Sequence, residues 1–154
     1  MSIPRTSLIL AAAVAFAAPA FAADPFFGSF MLDAARSTSG ERCAAFTLED
    51  LGNDKFRLTG VRVAGDGTLL RQDGVFAFDG GAHADGAGGT ASFTRIDEHR
   101  YAVVTKGIEQ STAMRTMTDD GATMVENADG VRDDEPFHAT RVFTRGAGTC
   151  EVAK

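Results

Sequence analysis

The sequence predicts an all-β domain, a small antiparallel up-and-down β-barrel of about eight or nine strands. Short runs of apolar–polar alternation recur along the chain, and turn signals separate them at intervals of roughly 8–12 residues. No window of helical length carries a sustained apolar stripe of period 3.6. The best helical candidate, residues 33–39, is one or two turns long.

Each run can be read in order. Phe30 and Leu32 share one face of a strand that follows Gly28, and Ala44, Phe46 and Leu48 oppose Cys43, Ala45 and Thr47 in the next. Phe56 and Leu58 alternate with Arg57 and Thr59. Beyond Gly60 the apolar positions move to Val61 and Val63, and a glycine at such a change of parity suggests a bulge. Gly74, beside Val75-Phe76-Ala77-Phe78, is a second bulge candidate. Ala91 and Phe93, then Tyr101 to Val104, form two short β-rich runs. Ile108, Gln110, Thr112, Met114 and Thr116 lie on one side of a longer strand, and Met124 and Val125 sit in the next. Phe137, Ala139, Arg141 and Phe143 alternate with His138, Thr140 and Val142 in the last. Gly65-Asp66-Gly67, Asp79-Gly80-Gly81, Asp120-Gly121 and Asp129-Gly130 supply the positive φ angles of tight hairpin turns.

The chain has 154 residues, enough for one domain. Residues 1–22 read as a secretory signal peptide: Arg5 precedes an apolar run over residues 8–18, and Ala20-Phe21-Ala22 sets small residues before a cut. The run is short for a membrane span. The expected mature domain is therefore residues 23–154, periplasmic or secreted, with no membrane anchor. It carries 14 basic and 21 acidic residues, net −7, and its basic residues are scattered singly, so nucleic acid and anionic lipid surfaces are poor partners. Cys43 and Cys150 are the only cysteines, and an oxidising compartment makes a disulfide between them the default. Ten of the 12 phenylalanines remain after the leader, mostly on apolar strand faces. A sheet with one aromatic face must bury it, and closing the sheet also removes its aggregation-prone edges.

The opening Asp24-Pro25-Phe26-Phe27-Gly28-Ser29-Phe30-Met31-Leu32-Asp33, with Ala35-Arg36-Ser37 after it, resembles that of small exported bacterial lipocalin-like proteins. The Arg95-Ile96-Asp97 turn and the hairpin from Asp119 to Met124 are similar to theirs as well. The resemblance implies a calycin-type barrel, closed at one end, whose interior holds a small apolar molecule. Phe46, Phe56, Leu58, Phe76, Phe78, Phe93, Tyr101, Met114 and Phe137 are then the expected lining. Gly28 and Phe30 mark the closed floor, with Phe30 where the family has tryptophan. A basic side chain near the last strand covers that floor by cation–π contact. Arg141 is the first choice, and spacing alone does not separate it from Arg145.

Catalytic and metal-binding patterns are missing. His83, His99 and His138 lack the short repeated spacing of a zinc site, and flexible glycines around Asp79, His83 and Asp85 make a metal contact there costly to assemble. The glycine loop over residues 80–89 has no Gly-Lys-Ser/Thr ending and no following helix, so it is no phosphate cradle. Acidic pairs such as Glu49-Asp50 and Asp97-Glu98 fall at turns, where solvent keeps them from tuned proton transfer. The face holding Gln110, Thr112 and Thr116 would supply pocket polarity if it pointed inward, but threonine-rich strand faces are more often solvated. The expectation is a non-enzymatic binding protein without cofactor. The alternative is a solid-cored barrel that contacts an envelope protein partner and takes no small ligand.

Overall fold

The computed structural model describes residues 24–107 and 109–150, so the expected signal peptide over residues 1–22 and Ile108 lie outside the described residues. Ten antiparallel strands follow in chain order. They are β1 (Gly28–Leu32), β2 (Cys43–Gly52), β3 (Lys55–Val63), β4 (Leu69–Ala77), β5 (Asp79–Ala84), β6 (Thr90–Arg95), β7 (Arg100–Lys106), β8 (Glu109–Met117), β9 (Thr123–Arg132) and β10 (Glu135–Arg145). A single 3-10 turn, Ala34–Arg36, lies in the β1–β2 connection. The spatial order is β4-β3-β2-β1-β10-β9-β8-β7-β6-β5. Pairing of β1 with β10 closes the meander into a ring, with Phe30 opposite Arg145 and Leu32 opposite Phe143. β4 and β5 share no ladder, and the seam between them is filled by side chains. The Phe76 and Phe93 rings meet there at 4.9 Å. The result is a nearly closed barrel.

Three sequence expectations change. The tenth strand is β5, which the glycines at positions 80 and 81 disguise as loop; the chain bulges between Asp79 and Ala82 and then pairs with β6. Gly60 and Gly74 are not bulges, because register runs unbroken through both, Phe46↔Gly60 and Leu58↔Gly74. They are glycines because an added Cβ would crowd the Phe46 Cβ (3.1 Å) and the Phe76 ring (2.7 Å) respectively. Asp129-Gly130 likewise lies inside β9. The β9–β10 turn is Asp133-Asp134, with φ of 51° and 63°. Gly130 is required in its strand because a side chain would strike the Gln110 carbonyl and the Phe137 ring.

One end of the barrel is solid. Phe26, Phe30, Phe56, Phe76, Phe93 and Tyr101 are all buried, and Phe26 meets Tyr101 edge-on at 4.8 Å. Burying such side chains contributes roughly 1.5–3 kcal/mol each, which makes this end the stable part of the fold. Residues 24–27 plug it. The Asp24 carboxylate accepts the Phe26 N–H at 3.0 Å and pairs with Arg95, whose guanidinium lies over the Phe78 ring at 4.5 Å. Arg145, rather than Arg141, covers the floor. Its guanidinium sits 4.7 Å from the Phe30 centroid and donates to the carbonyls of Phe27 (2.8 Å) and Gly121 (2.7 Å). Gly28 holds φ of +128°, and a Cβ there would lie 2.5 Å from Arg145 Nη1. The Cys43–Cys150 disulfide, with Cα atoms 5.7 Å apart and a sequence separation of 107, ties the chain end back to the start of β2.

Candidate functional site

The other end is hollow. A cavity of about 490 Å³ occupies the half of the barrel towards the β3–β4, β5–β6 and β9–β10 turns. Apolar lining comes from Ala44, Phe46, Leu58, Val103, Ala113 and Phe143. Of the expected lining residues, only Phe46 and Leu58 face this space. Phe56, Phe76, Phe78, Phe93 and Tyr101 belong to the packed aromatic end, and Phe137 packs under the Arg132 guanidinium at 5.1 Å. Met114 is on the outside of β8, opposite Ala102, and is exposed. The solvated reading of its face holds, since Gln110, Thr112 and Thr116 are exposed with it.

The inward residues of β8 are instead Ser111, Ala113, Arg115 and Met117, one position out of phase with the face that could have supplied pocket polarity. Arg115 stands opposite Tyr101 on β7 and Glu126 on β9, and Glu126 stands opposite Arg141 on β10. These residues begin a chain of alternating charge. Arg115 donates to the Tyr101 hydroxyl at 3.0 Å and to Glu126. Arg141 joins Glu126 (2.6 Å) to Glu41 (2.8 Å), which comes from the β1–β2 connection. Arg62 then links Glu41 (3.1 Å) to Glu109 (3.3 Å), and Arg132 completes the series on Glu109. The order is Arg132, Glu109, Arg62, Glu41, Arg141, Glu126, Arg115, with an arginine at each end.

The electrostatics follow from that alternation. Burial alone pushes the Glu126 carboxyl up, but Arg115 and Arg141 more than offset it and hold it at about 2. Glu41 is also lowered: its desolvation is outweighed by hydrogen bonding to Arg141 and Ser39 and by the charge of Arg62. Desolvation would lower Arg115 and Arg141, yet their glutamate partners raise both. The Tyr101 phenol is raised by burial, against the pull of Arg115. Glu41, Glu126, Arg115 and Arg141 therefore stay ionised at neutral pH, and the whole chain sets four arginines against three glutamates. Arg71 and the aspartates Asp66, Asp85 and Asp133 also line the cavity, at its mouth, so the arginine surplus belongs to the hydrogen-bonded chain and not to the cavity wall as a whole. Asp66 is exposed and caps the Thr68 N–H, while Asp85 caps Ala87 and Gly89 within its own turn. Arg115 bonds its partners through Nε and Nη1, and so does Arg141. Nη2 of each makes no hydrogen bond to any described residue, although both side chains line the cavity.

No protein-family model matches the chain. No curated protein matches it by sequence. Among solved structures it is similar to a point mutant of the fluorescent protein UnaG, at a TM-score of 0.55 and 16% identity over 80% of this chain and 98% of that one. The chain has a calycin-like barrel fold. A second structure, the siderocalin Ex-FABP, aligns at a TM-score of 0.46 and 13% identity over 79% of this chain and 71% of that one. At such identities the likeness is one of architecture, and the side chains of the interior are this chain's own.

Sequence reasoning misses the charged wall for an identifiable reason. Arg62, Glu126 and Arg132 lie in amphipathic strands, where charged residues are usually solvated, and the inward side of Arg115 follows only by parity from a solvated Gln110–Thr116 face. The available signal is parity. Glu126 shares its face with Met124 and Ala128, and Arg141 shares its face with Ala139 and Phe143. A charge in phase with core residues on two neighbouring strands indicates a paired, buried group. Among the described residues there is no cluster of three or more metal-ligating side chains.

Proposed function

We propose that the protein is an exported, non-enzymatic carrier that holds a small amphipathic anion in the hollow half of its barrel. The observation that carries this reading is the pair of arginines inside the cavity, Arg115 and Arg141, whose Nη2 groups find no acceptor among the described residues. Those N–H groups are open to water in the cavity, and a ligand anion would replace that water with charge-assisted hydrogen bonds. The apolar lining from Ala44, Phe46, Leu58, Val103 and Ala113 then takes the ligand's hydrocarbon part. A wholly apolar guest would strip water from those guanidinium groups and return no hydrogen bond. The volume of about 490 Å³ lies in the range of ordinary ligand pockets. Export is supported by the leader pattern of residues 1–22 and agrees with the disulfide.

Two dyes with the same skeleton test the charge. Anilinonaphthalenesulfonate is a monoanion, and phenylnaphthylamine is the same molecule without its sulfonate. The anion should bind the native protein at least about tenfold more tightly, and Arg115→Met should remove most of that preference. Equal affinity for the two dyes would defeat the charge reading. Failure of both to bind would return the protein to the alternative of a partner-binding barrel.

A further inference from the structure

We propose that Arg62 is a bar across the barrel mouth and that its swing admits and releases the ligand. The inference rests on the carrier reading above and names how that site is controlled. β3, which carries Arg62, and β8, which carries Glu109, are five strands apart in a ten-stranded ring and so stand on opposite walls. Both residues lie at the open end, Arg62 one position before the end of β3 and Glu109 at the first position of β8. The Arg62 guanidinium nevertheless reaches Glu109 at 3.3 Å with one nitrogen and Glu41 at 3.1 Å with the other. Its side chain therefore crosses the lumen near the mouth, with cavity lining inward of it at Arg115 and Phe143 and outward of it at Gly65 and Ala87.

The charge pattern lets this bar move where its neighbours cannot. When Arg62 swings out, Glu41 keeps Arg141 and Ser39, and Glu109 keeps Arg132. No buried carboxylate is left alone. Displacing Arg141 would instead take a cation from Glu126 and Glu41 together, deep in the barrel, where a stranded charge is heavily penalised. Arg62 is also the more solvated of the two, with 27% of its side chain exposed against 6% for Arg141. A partly exposed pair is weak and yields to salt. The long flexible stem of arginine gives the swing without any backbone change.

Stopped-flow mixing of the two dyes with the full mature protein tests the bar. In Arg62→Met the association and dissociation rates of phenylnaphthylamine should rise together by about tenfold, a larger change than in its Kd. Glu109→Gln, which weakens the bar from the opposite wall, should shift both rates in the same direction. High salt should speed the neutral dye in the native protein and leave its rates in Arg62→Met unchanged. Native-like rates in both variants would overturn the bar, and so would a rise in dissociation alone, which would mark Arg62 as an ordinary contact. If the two dyes bind with equal affinity, the charge reading fails while these rates still decide the bar. If neither dye enters either protein, both fall together; binding to Arg62→Met alone would support the bar.

Discussion

Replacing Glu126 with glutamine should cost the protein about 3–5 kcal/mol at neutral pH, the usual penalty for removing one partner of a buried ion pair. Glu126 sits between Arg115 and Arg141, so the substitution leaves two guanidinium groups facing each other in a protein-lined interior. The pH dependence gives an independent magnitude. The carboxyl is held at about 2 in the fold against 4.5 when unperturbed, which corresponds to about 3 kcal/mol at 1.36 kcal/mol per unit. Because the folded value is depressed, this contribution is complete above about 4.5 and drains away as pH falls towards about 2. The native protein should therefore weaken steeply between about pH 5 and pH 2, and Glu126→Gln should show a shallower slope from a lower starting point. Urea titrations followed by far-ultraviolet dichroism across that range measure both quantities. A variant within about 1 kcal/mol of the native protein at pH 7 would refute the reasoning, as would an acid slope equal to the native one.

Two further outcomes follow from the floor and the chain end. Arg145→Met should lower the melting temperature by several degrees and raise amide exchange at Phe27 and Gly121, since the guanidinium holds both carbonyls; unchanged exchange there would show that the plug stands without it. Reducing the Cys43–Cys150 disulfide should destabilise the fold by up to about 4.7 kcal/mol, the chain-entropy value for a loop of ~100 residues. Melting curves with and without reductant, alongside thiol alkylation, check this, and equal curves with both thiols alkylated would contradict it.

The fold is legible in the sequence because strand alternation and Asp-Gly turns are local signals. Nine of the ten strands announce themselves this way, and the aromatic residues at positions 30, 56, 76, 93 and 101 mark an inward face that the structure packs solid. β5 escapes because the glycines at positions 80 and 81 carry the signature of a turn, and only pairing with β6 makes them strand. The glycines at positions 60, 74 and 130 escape for a related reason. Each is required by a side chain or carbonyl that comes close only after the register is set. The disulfide is readable from the cysteine count together with the expected export.

The nature of the interior is decided elsewhere. Periodicity establishes which residues share a face, but it does not say which arginine meets which glutamate across the ring, and the charged wall is made of such meetings. Arg62 and Glu109 are 47 positions apart and Arg141 and Glu41 are 100 apart, and no local pattern pairs them until the barrel closes. Closure also chooses Arg145 over Arg141 for the floor, since β10 runs from mouth to floor and only its last residue reaches Phe30. Local sequence determines a barrel with an aromatic base. Ring geometry, which brings distant charges together and draws them from bulk water, decides that its open half is walled by paired charges.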